Sequence, residues 1–244
     1  MREILLLILA TATSDRPDTV CVSYARGFAD YTVKVTADDR EATAVLIDDH
    51  WALTAAHVVK DRKAVAVDGR AATAVCVYHG FRSEPRGLHD IALVRTGESH
   101  GRKSYPPLAE ADEVELKAGV VVDLAGYGHF GDIRDGFKFF DGRLRAGTQN
   151  IDSVTETTIV CSLAPGSSPI EYGIASGDSG GPMLFRGRLA GLNSEIETSG
   201  RRPPVSKTGE VSYHPRVSYY REWIRETIDA HSVARRSAGS VDYK

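Results

Sequence analysis

The 244-residue chain is poor in several features that would each have set a direction. Its three cysteines are too few for a disulfide scaffold, and none forms a CxxC pair of the zinc-binding kind. Neither charge dominates. Thirty Lys and Arg face 33 Asp and Glu, a net of −3, which excludes a basic surface built for nucleic acid or an anionic membrane. No apolar run approaches the roughly 18–20 residues of a membrane-spanning helix. There is no repeat of solenoid period and no low-complexity tract. HExxH and Gly-rich phosphate-loop motifs are both missing, so no metal or organic cofactor is expected.

What is present is an ordinary globular composition, 42% hydrophobic and 26% charged, long enough to bury a sizeable core. Twenty-three glycines suit a turn-rich β protein. Short apolar or alternating segments recur: 31–35, 44–47, 64–67, 74–77, 91–94, 120–124, 139–144, 157–163, 183–185 and 189–192. Gly, Asp and Asn punctuate them, as at Asp68-Gly69. Many short strands at near-regular spacing predict an all-β barrel or sandwich. The exception is the end. Val217, Tyr220, Trp223, Ile224 and Ile228 share one helical face, and beyond Ala230 the chain turns polar and is expected to fray. A polar stretch at 96–117 containing Pro106-Pro107 reads as a linker, and 199–209 as a surface loop. At the start, Ile4 to Leu9 is apolar and Ala10-Thr11-Ala12 supplies an A-x-A site. This predicts a secretory signal over 1–12; the competing reading of the run is a buried strand. In a secreted chain three cysteines allow one bridge at most, and the pairing among Cys21, Cys76 and Cys161 stays open.

Three local motifs carry chemistry: Leu53-Thr54-Ala55-Ala56-His57, His89-Asp90-Ile91-Ala92-Leu93-Val94, and Gly177-Asp178-Ser179-Gly180-Gly181-Pro182. Singly, each has an ordinary structural reading: a core histidine, a strand-start aspartate, a loop serine. In this order, and with Gly126-Tyr127-Gly128 and the terminal Trp223 helix, the chain resembles the trypsin/chymotrypsin-type serine peptidases over nearly everything after residue 30. The resemblance is nearer to the bacterial, cysteine-poor members. The chemistry is coherent on its own terms. A serine hydroxyl needs a base within hydrogen-bond reach to attack a carbonyl. Histidine has a pKa near working pH. A buried carboxylate fixes the imidazole tautomer and stabilises the imidazolium. Ser179 is thus the expected nucleophile, His57 the base and Asp90 its orienter. The amides of Gly177 and Ser179 are the expected oxyanion donors.

The resemblance implies two packed antiparallel β-barrels with a C-terminal α-helix. The domain would cover 31–230, with barrels at about 31–105 and 118–230, after an N-terminal segment at 13–30 and before a polar tail at 231–244. It also implies a primary pocket with Gly173 at its base. Ile174, Ala175 and Ser176 would form one wall, Ser194-Glu195-Ile196 the other, and Ser212 would face inward. Without an acidic base, that pocket suits a small or apolar side chain. Substrates would be proteins or peptides, with a protein inhibitor as a further partner. No nucleic acid is implied, nor any membrane once the signal is removed. The expected form is a secreted or periplasmic monomer. Family members pair the Asp before the nucleophile, here Asp178, with a new N-terminal amine. No Ile-Val-Gly-Gly-like start precedes Tyr31. Asp178 is therefore expected to be balanced by an amine arising between Thr13 and Gly27 or by an internal donor. The usual Cys positions after the His and four before the Ser hold Val58 and Ala175, while Cys161 falls where the family often has one.

Two other readings compete with this one. Gly177-Asp178-Ser179-Gly180-Gly181 also fits G-x-S-x-G, the nucleophile elbow of α/β-hydrolases, whose acid and His lie downstream, where Asp229, His214 and His231 stand. That elbow needs a helix immediately after the Ser, and Gly180-Gly181-Pro182 is poor helix chemistry. A non-enzymatic binding protein on a peptidase fold would be expected to have lost one of the three residues.

Overall fold

A computed structural model describes residues 18–83, 88–110, 115–132, 136–164, 166–197 and 209–239. The first barrel holds β1 (Thr32–Ala37), β2 (Arg40–Leu46), β3 (Trp51–Thr54), β4 (Val65–Val67), β5 (Arg70–Val77) and β6 (Ala92–Thr96). It closes as β1-β2-β3-β6-β5-β4, with β1 pairing β4. Its interior is lined by small and β-branched side chains, among them Val33, Val35, Ala44, Ala52, Val67 and Val94. That set fits the narrow inside of a six-stranded barrel. The Asp68-Gly69 turn takes positive φ at both residues, +50° and +76°, the type I′ geometry that matches strand twist.

The second unit adds β7 (Val121–Gly126), β8 (Phe130–Asp132), β9 (Gly136–Phe139), β10 (Arg145–Val154), β11 (Thr158–Ser162), β12 (Pro182–Phe185), β13 (Arg188–Leu192), β14 (Glu195–Glu197) and β15 (Val211–Pro215). Its main sheet runs β13-β12-β7-β10-β11-β15-β14, and β8-β9 is a separate hairpin. One bridge, Gly191 to Arg216, joins β13 to the end of β15. With that bridge counted and the edge strand β14 set aside, the other six strands wind in the same order as the first barrel. The second barrel is thus a curled sheet whose seam is a single bridge rather than a ladder. Leu124, Ile151, Ile159, Ile174 and Met183 fill it.

Between the units lies a shared core of Val45, Leu53, Ile91, Leu93, Leu184 and Leu192. The C-terminal helix seals this core with Val217, Tyr220 and Ile224. Arg221 of that helix donates to the carbonyls of Leu108 and Ala109 at 2.9 and 3.0 Å, fixing the irregular connection between barrels.

Several expectations are corrected. The C-terminal helix spans Val217–Gly239, passing Ala230 where fraying was expected; Ala, Arg and Ser are tolerated well enough in a helix to carry it on. The segment 139–144 is not a strand: β9 ends at Phe139, β10 begins at Arg145, and the positive-φ Gly142 turns the chain between them. A short helix, α1 (Asp18–Tyr24), and a 3₁₀ turn at Ala25–Phe28 occupy the N-terminal segment. The signal over 1–12 and nearly all of the loop at 199–209 lie outside the described residues. The α/β-hydrolase alternative falls on topology. Every ladder between named strands among the described residues is antiparallel, and Ser179 leads into strand β12, not a helix.

Candidate active site

The three motif residues come from three different connections. His57 lies on a single helical turn, α2 (Ala56–Val59), directly after β3. Asp90 sits at the tip of a tight turn before β6. His89 takes φ +56°, and the Ile91 amide returns to the His89 carbonyl at 2.8 Å. Ser179 lies in the loop between β11 and β12.

They converge in the cleft. His57 Nε2 is 3.1 Å from Ser179 Oγ, and His57 Nδ1 is 2.6 Å from Asp90 Oδ2. The His57 amide donates to Asp90 Oδ1 at 2.8 Å, so ring and backbone are both anchored. Asp90 is fully buried, while the His57 side chain is 36% exposed, open on the side a substrate would approach. Burial alone would lower the His57 pKa. The hydrogen bond and charge of Asp90, aided by Glu195 and opposed by Arg40, outweigh it, and the pKa ends above the ordinary value of 6.5.

Ser194 enters this network. Its hydroxyl donates to Asp90 Oδ2 at 2.6 Å, and its carbonyl accepts from Ser179 Oγ at 3.4 Å. The sequence placed Ser194 on the pocket wall; its side chain in fact completes the shell of Asp90. Thr43 was not singled out at all. Its hydroxyl donates to the Gly177 carbonyl at 2.8 Å and accepts from the Tyr127 amide at 3.0 Å. Its own amide donates to the Ser179 carbonyl at 3.0 Å. One threonine of the first barrel thereby holds the nucleophile loop of the second. No local signal marks it, because all three partners are distant in sequence.

The loop is shaped for an anion. Gly177 takes φ +97°, a conformation L side chains rarely adopt. The amides of Asp178, Gly180 and Gly181 are committed to the carbonyls of Ala175, Asn193 and Asp178. Those of Gly177 and Ser179 make no backbone hydrogen bond among the described residues, and two free amides beside a nucleophile can receive a developing oxyanion. Asp178, between them, is 1% exposed. Its Oδ1 accepts from the Gly128 amide and the Tyr172 hydroxyl, each at 2.8 Å, and Oδ2 from the Ala175 amide at 2.8 Å. Burial raises its pKa to about 6 against the pull of these three donors. An ionised Asp178 thus costs the fold roughly 3 kcal/mol above pH 6, and the cost fades as pH falls toward the unfolded pKa.

Of the other residues expected to line the primary pocket, Ile196 on β14 stands opposite Ser212 on β15. Gly173 is buried. The Ile174 side chain is 2% exposed and belongs to the barrel core. Ile196 is half-buried on β14. Ser212 is buried, its hydroxyl within 3.3 Å of Gln149 Oε1 and 2.9 Å of His214 Nε2. Cys21, Cys76 and Cys161 form no disulfide, and burial raises the thiol pKa of Cys76 and Cys161.

Two antiparallel β-barrels with Ser, His and Asp meeting in the cleft between them define a serine hydrolase of the chymotrypsin fold. The chain belongs to the trypsin family: the Trypsin family model matches residues 21–224. It is accordingly a serine-type peptidase acting on proteins or peptides. Glandular kallikrein of Sus scrofa is 24% identical over 217 residues, covering 75% of this chain and 84% of the relative. Serine protease SP24D of Anopheles gambiae is 25% identical over 205 residues, covering 75% and 70%. Among solved structures, neuropsin, a serine protease expressed in the limbic system of mouse brain, superposes with a TM-score of 0.64. Sequence identity there is 21%, over 82% of this chain and 94% of that one.

Proposed function

We propose that this chain is a secreted or periplasmic endopeptidase in which Ser179 is the nucleophile, His57 the general base and acid, and Asp90 the orienting carboxylate. The observation that carries the assignment is the unbroken relay Ser179 Oγ, His57 Nε2, His57 Nδ1, Asp90 Oδ2, at 3.1 and 2.6 Å. Ser179 Oγ attacks the scissile carbonyl while its proton moves to His57 Nε2. The carbonyl oxygen gains the charge and is met by the amides of Gly177 and Ser179. His57 then returns the proton to the leaving amine, giving an acyl-enzyme, and water repeats the steps to release the acid.

Extended substrate adds to the edge of β14, which among the described residues pairs only with β15. Gly173 at the base of the primary pocket brings no charge, so the residue preceding the cleaved bond is small or apolar. Ile196 offers an apolar wall and Ser212 a polar inner surface. Export rests on the apolar run and the A-x-A site over 1–12. Kinship with cysteine-poor bacterial members rests on three cysteines without a bridge. The working form is a monomer, and a protein inhibitor would occupy the same cleft.

The test is digestion of a mixed peptide library with mass-spectrometric readout. Internal cleavage after small or apolar residues, lost in Ser179→Ala, is expected. Cleavage mainly after Asp or Glu would refute the pocket, and unchanged cleavage by Ser179→Ala would refute the nucleophile.

A further inference from the structure

The peptidase reading gives the buried Asp178 no role. Asp178 is enclosed immediately beside the nucleophile, and a buried carboxylate must be hydrogen-bonded to be tolerated. All three of its donors among the described residues come from the second unit: the Gly128 amide, the Ala175 amide and the Tyr172 phenol. The Gly126-Tyr127-Gly128 turn is moulded to it. A Cβ added at Gly126 would fall 2.1 Å from Asp178 Oδ1, and one at Gly128 2.5 Å from its carboxyl carbon. Tyr172 is itself buried, and its pKa is driven well up by burial and by Asp178. Its phenol therefore stays protonated and can only donate in this pair.

The N-terminal segment is engaged elsewhere. Asp18 at the start of α1 pairs with Arg145, which also binds Asp141 at 2.7 and 2.9 Å. Tyr24 at the helix end donates to Asp123 at 2.6 Å. Cys21, between these anchors, lies close enough to Tyr172 to act on it electrostatically. Residues 18–24 are thus held as a helix on the outside of the second barrel while Asp178 is satisfied from within.

We infer that Tyr172 is a positioning residue, which with the Gly128 and Ala175 amides holds Asp178 and keeps the Gly177–Ser179 loop assembled without a newly liberated N-terminal amine. This rests on the peptidase reading above. Activity then needs no processing inside 18–27. The groups facing the pair are His129 beyond the Gly128 turn, Cys21 on α1 and Arg145 on β10. Of these, Arg145 is already paired with two carboxylates.

The experiment compares the full chain, its intact N-terminus verified by mass, with the same chain digested to free an amine between residues 13 and 27. Both are assayed for turnover per serine titrated by a fluorophosphonate. Rates within about twofold support the inference. An intact chain that neither labels nor turns over, but does both after digestion, overturns it and leaves the peptidase reading standing. A chain inert in both forms defeats the peptidase reading and this inference with it. In parallel, Tyr172→Phe removes only the hydroxyl. Loss of a hydrogen bond to a charged group should lower kcat per titrated serine about tenfold, with KM little changed. A merely structural tyrosine would lower the titratable fraction and leave kcat per titrated serine unchanged, and this result would contradict the assignment. The intact-chain comparison needs no variant, so misfolding of Tyr172→Phe would not shelter the idea.

Discussion

The two barrels wind in the same strand order but are closed and braced differently. The first is sealed by a ladder, with Val35, Thr36 and Ala37 of β1 opposite Val67, Ala66 and Val65 of β4. The second is sealed at β13 and β15 by the single Gly191–Arg216 bridge found among the described residues and is braced by α1 through Arg145, while the C-terminal helix packs on the core shared by both units, its Tyr220 hydroxyl bonded to His89. The chemistry divides the same way. On the proposed assignment the closed barrel carries the base and its carboxylate, which must keep one fixed geometry. The looser barrel carries the proposed nucleophile, the proposed oxyanion amides and the buried Asp178 beside them. A rigid half thus presents proton-transfer groups to a half whose loop is held by hydrogen bonds, and Thr43 couples the two.

The largest expected effects test whether both barrels serve one reaction. Ser179→Ala and His57→Ala, one from each barrel, should each lower kcat by about 10⁴–10⁶, and the double variant should be little worse than either, as for residues acting as a unit. Multiplying losses in a kinetic comparison would break that unity. Asp90→Asn should cost about 10⁴ through the wrong imidazole tautomer. Ser194→Ala removes one donor to Asp90 and should cost only about tenfold in kcat. The raised His57 pKa fixes the pH behaviour. Activity needs the neutral imidazole, so the rate should climb through a pKa above 6.5 and fall as pH drops. Stability runs the other way. The contribution of protonated His57 is fully present below its unfolded pKa and is lost as pH rises through the folded one. A flat kcat profile between about pH 5 and 8 would count against His57 as base.

These residues stand out in the sequence because each sits in its own short motif, and the order of motifs points to the chemistry proposed for them. The strands were legible where apolar residues alternate. The longest, Arg145–Val154, was missed because its buried positions include Arg145, Thr148 and Gln149. Such a polar interior is tolerated only because long-range partners satisfy it: Thr148 with Ile170, and Arg145 with Asp18 and Asp141. Thr43, Tyr172 and Ser194 share this property. Their importance lies in atoms brought close by the fold, and no local periodicity records that. The open seam of the second barrel was illegible for the same reason, since sequence pattern marks strands but not which edges meet.

Smaller effects sharpen the comparison of the two halves. Thr43→Val removes the hydroxyl that joins them and should lower kcat about tenfold, with a loss of about 1–2 kcal/mol in denaturant stability. An unchanged kcat would show that the nucleophile loop holds itself. Arg145→Ala leaves Asp18 and Asp141 partly exposed to water, so the expected loss is modest, about 1–3 kcal/mol. It should loosen the second barrel first. Hydrogen exchange should then quicken along β10 and β7 while β1 and β4 stay protected. Uniform loss of protection in both barrels would mean that they unfold as one and that the difference in closure has no energetic consequence.

The most direct test of the central claim is the intact mass of the protein after a fluorophosphonate reagent, read beside Ser179→Ala and Ser194→Ala. The account requires one adduct on the unmodified chain, on Ser179, absent from Ser179→Ala and still formed by Ser194→Ala. An adduct retained in Ser179→Ala, or none on a folded wild-type chain at neutral pH before and after digestion, would contradict the assignment of the nucleophile.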